Sequence, residues 1–438
     1  MKAFRKIIPL IFIMVLICLC SFTCSQESAE LTNVDADTGI IKSATLTISS
    51  LPQGEYDLCY GDEGNEWIKK YTKITTLTQN EDGEAELTIE NVVIPPDVKT
   101  LVLVKDNATY YLDQSIEIPE ECLNFGENEL VFGALSDVHF NRYYALEPLR
   151  DEAEISFDIA LDFFEQVDAD LVCISGDLSK NGERSAFEKY NELTQGREFE
   201  IFTCTGNHDV KALITGLWQE YITAGLDSIE GVSDIASNGI DFVYSETEQD
   251  VFVFLSQMYW DYGTNESRLL ENEQLEWLGG VFEKYKDKRV YLFFHTFLYG
   301  PDGQSHTGVG NLRNPGGYEY DLPYTYGAED EVELRRLLKQ YKNVIFFSGH
   351  SHWMFELEIY NENANFSSFG GEYGYMVHIP SVTEPRYIGE NDTSRTGKAG
   401  ESSQGWLIYS YDDCIILLPY DFILGVCYTE YMEIISYE

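Results

Sequence analysis

From residue 129 onward, apolar runs of strand length end again and again in polar residues. ELVFGALSDVHF (129–140), DLVCISGD (170–177), FEIFTCTGNHD (199–209), DVFVFLS (250–256), RVYLFFH (289–295) and NVIFFSGH (343–350) share this form. Between them, residues 147–167, 183–195, 271–285 and 329–341 carry apolar positions at helical spacing. After residue 370 the pattern returns to strands: GYMVHIPS, GWLIYSY, CIILLPYD and YTEYMEIISY. Strands alternating with helices predict an α/β domain with a largely parallel core, spanning 129–438.

Residues 42–118 differ. SATLTISS, YDLCYG, EAELTIENV, KTLVLVKD and TYYLDQSIEI are β-rich and separated by turns such as PQGE, EDGE and PPD. They predict a small all-β sandwich over 42–125, resembling an immunoglobulin or fibronectin module and acting as a support or as a glycan- or wall-binding element. The chain shows no internal repeat.

The first residues are patterned for export. Lys2, Arg5 and Lys6 precede the apolar run 7–20, IIPLIFIMVLICLC, which is too short to span a bilayer comfortably. Residues 1–24 are therefore expected to be a signal, and the protein to be secreted or held at the cell envelope. Cys24 follows Ser21-Phe22-Thr23, which resembles a bacterial lipoprotein cleavage site. Lipid attachment at Cys24 and free secretion both remain open, and the polar segment 25–41 is expected to be a linker or tether.

Charge changes the picture further. Lys and Arg number 29 against 75 Asp and Glu, a formal net charge of −46 in 438 residues. Such a surface repels nucleic acid, so duplex binding is not expected. Six cysteines lie beyond Cys24, and none forms a CxxC pair, which argues against a zinc ribbon. Cys173 and Cys204 fall in apolar strands and read as buried thiols, whereas Cys59 with Cys122 and Cys414 with Cys427 are possible bridges.

The polar residues at the strand ends carry the chemistry. Five of the seven histidines (His139, His208, His295, His350 and His352) stand there, with Asp137, Asp177 and Asn207. Open α/β sheets bind ligands at the carboxyl ends of their strands. Oxygen and imidazole donors suit Mn, Fe or Zn rather than a soft thiolate site. In a strand, residues i and i+2 face one side, which would let Asp137 and His139, or His350 and His352, address one centre. Gly176, Gly206 and Gly349 permit close backbone approach.

The series D-x-H (137–139), G-D (176–177), G-N-H-D (206–209), H (295) and G-H-x-H (349–352) resembles the calcineurin-like metallophosphoesterase superfamily, over roughly residues 130–390. The resemblance implies a layered α/β sandwich and two divalent transition metal ions. It implies that Asp137, His139, Asp177 and His352 hold one metal, and that Asp177 bridges to a second held by Asn207, His295 and His350. His208, oriented by Asp209, would protonate the leaving oxygen of a phosphate ester while a metal-bridging hydroxide attacks phosphorus. Purple acid phosphatases carry a tyrosine where this chain has Lys180 and a glycine where it has His139, so an iron–tyrosinate site is not expected. GDLSKNGE is more similar to the branch of cyclic-nucleotide phosphodiesterases and exported bacterial phosphohydrolases, although Phe294 replaces a histidine that branch often has.

Substrate contacts are expected from Asn141, just past His139, from His306 and Arg313 in the Gly/Tyr/Pro-rich segment 299–328, and from Arg386 in PSVTEPRY. His378, in an apolar strand, reads as core. Two non-enzymatic alternatives are a metal-site scaffold and a surface binding protein using the β domain. The intact ligand set favours the enzyme.

Overall fold

A computed structural model describes residues 28–49, 54–61, 73–79, 84–96, 98–105, 110–111, 116–123, 125, 128–141, 152–259, 269–297, 329–356, 366–367, 374–388, 395–397 and 400–437. The chain divides into two compact units, Met1–Phe125 and Gly126–Glu438.

The first unit is built of two antiparallel sheets. Ile40–Ser49 lies between Ser28–Asp37 and Glu84–Val93 in one; Gly54–Tyr60 lies between Lys73–Gln79 and Thr100–Lys105 in the other. Ala44, Leu46 and Ile48 are buried and alternate with half-buried Thr45 and Thr47, the period of a strand with one face on a core. One expectation is corrected here. The segment read as a linker contains the strand Ser28–Asp37, whose polar side chains hid it from a reading based on hydrophobic runs. It is specified by its backbone ladder to the neighbouring strand, from Ser28 opposite Ser49 to Asp37 opposite Ile40.

The second unit holds two seven-stranded mixed sheets. In the first, Glu200–Thr203, Leu171–Ile174 and Asn128–Leu135 run parallel, and Gln404–Tyr411 and Cys414–Asp421 continue the sheet antiparallel. In the second, Asp250–Phe254, Arg289–Phe293, Val344–Ser348 and Tyr375–His378 run parallel in that order, with short antiparallel strands at both edges.

Alternation divides each strand between two cores. Phe132, Ala134, Trp406 and Ile408 meet Phe252, Phe254, Tyr291, Phe293 and Phe347 between the sheets. Val251, Val253, Leu292 and Phe346 face outward, under Leu275, Leu278 and Phe282 of the helix Asn272–Lys284 and Leu334, Leu337 and Leu338 of the helix Glu329–Gln340. The helix Glu152–Gln166 covers the first sheet, where Phe163 stacks on Tyr420 at 4.2 Å between centroids. Strands buried on both faces explain the continuous apolar runs. Each fully buried ring contributes about 1.5–3 kcal/mol, and the layers hold the carboxyl ends of both parallel sets at one rim.

Candidate metal centre

The strands stop short of the ligands. Asn128–Leu135 ends two residues before Asp137, and Val344–Ser348 ends two before His350. Among the described residues, ten non-glycine residues have positive φ, and six are at this rim: Asp137, His139, Asn141, Asp177, His350 and His352. The D-x-H and H-x-H spacings thus do not come from strand alternation, as expected from sequence. They come from loops in which every second residue is left-handed, a conformation costing roughly 1–2 kcal/mol per residue and most accessible to Asn, Asp and His. Two glycines let these loops close. A Cβ at Gly349 would sit 1.8 Å from Ser136 Oγ, and one at Gly206 2.2 Å from Asp177 Oδ1.

The two carboxylates divide their oxygens in the same way. Asp137 Oδ2 accepts from the His350 N–H at 2.9 Å and the Ser136 hydroxyl at 2.7 Å. Its Oδ1 is buried 3.0 Å from His352 Nε2 and 3.6 Å from His139 Nε2, in hydrogen-bond geometry with neither. Asp177 Oδ1 accepts from the His208 N–H at 2.9 Å, while Oδ2 faces His139 Nε2 at 3.6 Å and His295 Nε2 at 3.2 Å. Around these oxygens the remaining donor atoms form two groups. His139 Nε2 lies 3.0 Å from His352 Nε2. Asn207 Oδ1, His295 Nε2 and His350 Nδ1 lie 3.0–3.1 Å apart.

The first group, Asp137, His139 and His352, and the second, Asp177, His295 and His350 with Asn207, could each hold a metal ion. The ring orientation supports this. His295 Nδ1 donates to the Ser175 carbonyl at 2.7 Å, so a ring that gives up its second proton to a metal would turn the lone pair of Nε2 toward Asn207, His350 and Asp177. Lone pairs and carboxylate oxygens converging in a buried place call for a cation.

The electrostatics point the same way. Burial raises the Asp137 and Asp177 carboxyls, but His352 and His295 at the first, and His295 and His208 at the second, hold both well below the usual carboxylate range. Burial pushes His139 and His350 down to about 3, so both are neutral bases near pH 7. His295 goes the other way: burial is outweighed by Asp177 and Asp137, and the ring is pushed up to about 10. The two carboxylates thus favour positive charge at their shared centre.

His208 is half-buried at the open side, edge-to-face with His139 at 4.8 Å between centroids. Its orientation differs from expectation. Nδ1 meets the Lys180 carbonyl at 2.5 Å. Asp209 instead accepts from the Leu178, Ser179 and Gly206 N–H groups and the Ser179 hydroxyl, tying the G-D and G-N-H-D loops together.

The expected substrate residues fare differently. The Asn141 amide donates to Ser185 Oγ at 2.9 Å. Arg386 is beside the centre through its backbone, its N–H donating to the His352 carbonyl at 2.7 Å, but its guanidinium pairs with Glu384 at 3.0 Å. His306 and Arg313 lie outside the described residues. His378 is buried as expected, its Nε2 2.9 Å from the Trp353 carbonyl. All six described cysteines are buried free thiols, so neither suggested bridge is present.

Several supporting residues escaped the sequence reading. Ser381 Oγ donates to the Asp137 carbonyl at 2.9 Å and Thr383 Oγ1 to the Val138 carbonyl at 2.6 Å, so the segment after Tyr375–His378 clamps the D-x-H loop. Glu384 Oε2 lies 3.7 Å from His352 Nδ1. No local signal marked them, since Ser381, Thr383 and Glu384 stand well beyond the last ligand block, G-H-x-H (349–352).

Among solved structures, a dimetal phosphatase from Danio rerio is 12% identical, covering 71% of this chain and 100% of its own, with a TM-score of 0.48. GAP50, described as the anchor in the inner membrane complex of Plasmodium, is 12% identical over 71% of this chain and 90% of its own, with a TM-score of 0.42. Vps29 from Entamoeba histolytica is 10% identical over 70% and 100%, with a TM-score of 0.27. No curated protein matches the chain. The calcineurin-like phosphoesterase family pattern matches residues 130–354, more than half of the 438 residues and inclusive of every proposed ligand from Asp137 to His352. The chain therefore belongs to the calcineurin-like phosphoesterase family.

Proposed function

We propose that the protein hydrolyses phosphate esters with two divalent ions of Mn, Fe or Zn. One is held by Asp137, His139, Asp177 and His352, the other by Asp177, Asn207, His295 and His350. The orientation of Asp177 carries this reading. One oxygen is tied to the His208 N–H, and the other faces a histidine of each group, at 3.6 Å and 3.2 Å. A carboxylate so placed serves both ions at once.

When bound, two such ions would supply Lewis acidity for the attack of water on a phosphate ester. Their charge also accounts for how a chain of net charge −46 takes an anionic substrate. Two divalent ions would outweigh the charges of Asp137 and Asp177 and make the centre locally positive.

His208 serves as general acid. The Lys180 carbonyl holds Nδ1, which makes Nε2 the atom that carries a proton toward the leaving oxygen. Asp209 keeps the His208 loop in register with the Asp177 loop. Arg386, with Glu384 as its resting partner, His306 and Arg313 are the proposed phosphate contacts, and Asn141 holds the loop beyond His139. We also propose that residues 1–24 act as an export signal, so that the reaction takes place outside the cytoplasm, with the mature protein either lipid-attached at Cys24 or freely secreted. Mass spectrometry of the mature N-terminus tests that location.

Chelation should abolish turnover of p-nitrophenyl phosphate and bis-p-nitrophenyl phosphate, and Mn(II), Fe(II) or Zn(II) should restore it. Full activity of metal-free protein would end this reading.

A further inference from the structure

A buried residue is hydrogen-bonded to two of the loops that carry the proposed ligands. Gln257 follows the strand Asp250–Phe254 and is fully buried. Its backbone N–H donates to the Thr205 carbonyl at 3.2 Å, and its own carbonyl accepts from Thr205 Oγ1 at 2.7 Å. Its side-chain Oε1 accepts from Thr296 Oγ1 at 2.8 Å, and Nε2 donates to the Tyr259 carbonyl at 2.9 Å. Thr205 is two residues before Asn207, and Thr296 directly follows His295. Both threonines are themselves buried.

We propose that Gln257 is a positioning residue for the Asn207–His295–His350 half-site, holding Asn207 and His295 at their mutual distance through Thr205 and Thr296. The proposal rests on the two-metal reading above. Gln257 fits the role because all four of its polar groups are engaged, so the side chain has no alternative arrangement at low cost. The loop behind it is equally fixed. The Ser256 N–H donates to buried Asp241, and Gln274 Nε2 donates to both Asp241 and the Ser256 carbonyl. The tie thus runs from the helix Asn272–Lys284 through Ser256 and Gln257 to the two ligand loops. Among the described residues, none of these hydrogen bonds of Gln257 goes to the loops of Asp137, His139 or His352, so its link runs to one half-site.

Groups hydrogen-bonded directly to metal ligands change metal affinity by about 10–100-fold when removed, and Gln257, one residue further out, should fall at the lower end of that range. Gln257→Met keeps the volume and leaves the Thr296 hydroxyl without its acceptor. Calorimetric titration of metal-free protein with Mn(II) should show two ions bound by the wild type; failure there would sink the two-metal reading and not the role of Gln257. The decisive comparison uses two backgrounds. In His352→Ala, where the Asn207–His295–His350 half-site remains, Gln257→Met should weaken Mn(II) binding about 10-fold or more. In His295→Ala, where the other half-site remains, it should change binding less than about twofold. Equal weakening in both backgrounds, or none in either, overturns the proposal. If Gln257→Met does not fold, Thr296→Val probes the same link with a smaller change, and the same selective loss is required of it.

Discussion

The Asp137–His139–His352 half-site is held through main-chain carbonyls, whereas the Asn207–His295–His350 half-site is braced by a buried amide between its loops. At the first, Ser381 and Thr383 bond the carbonyls of Asp137 and Val138, and the His139 N–H bonds the Asp177 carbonyl at 2.8 Å. At the second, Gln257 joins Thr205 to Thr296. The difference follows from backbone conformation. Asp137 and His139 are both left-handed, and such a loop has to be held at its peptide groups. Asn207 begins a short 3-10 turn and His295 follows a regular strand, so their own backbones need less restraint. Asp177 and the loop of His350 and His352 belong to both halves, and the His350 N–H reaches across to Asp137.

Removing what the halves share should have the largest effect. Asp177→Asn is expected to weaken both metals and lower kcat/KM by about 10³-fold or more, the scale of losing a preorganised electrostatic group. Metal content by mass spectrometry, measured beside the kinetics, checks this; two retained ions at full activity would break the idea of a common bridge. His208→Ala should leave both half-sites loaded. Turnover of esters with poor leaving groups should slow by about 10²–10⁴-fold, with little change for p-nitrophenol, which needs little protonation to depart. Equal losses across leaving groups would remove His208 from the proton-donating role.

The smallest effect sharpens the comparison. Ser381→Ala removes the hydrogen bond to the Asp137 carbonyl, worth about 1 kcal/mol, and the acceptor of the Thr383 and Glu384 N–H groups. It should weaken the first half-site several-fold and spare the second, the reverse of the pattern expected at Gln257. Mn(II) titration in the His295→Ala and His352→Ala backgrounds distinguishes the two, and a loss confined to the second half-site would contradict the clamp.

Much of this centre is legible in the sequence alone. Asp137, Asp177, Asn207, His295, His350 and His352 were recognisable because each follows an apolar run, and apolar runs of that length become strands with a common rim. The spacing of Asp137 and His139 was noticed but explained by the wrong geometry, since periodicity reports where a strand runs and not where it stops. Asp209 looked like the partner of His208 because it is adjacent in sequence. In the fold its carboxylate turns to three N–H groups and a hydroxyl, and a carbonyl from Lys180 takes the histidine. The strand Ser28–Asp37 was missed because its side chains carry no alternation strong enough to reveal it.

By itself the sequence determined the alternation of strands and helices from residue 129 onward, the two-unit division and the kinds of ligand atom, because burial periodicity and residue chemistry are local properties. Tertiary structure decided which oxygen of each carboxylate faces the centre, which carbonyl holds His208, and that Ser381, Thr383 and Gln257 support it. Those outcomes depend on contacts between residues far apart in the chain, 244 positions in the case of Ser381 and Asp137. Pairings at that range are specified by the packing of the two sheets, and no local pattern records them.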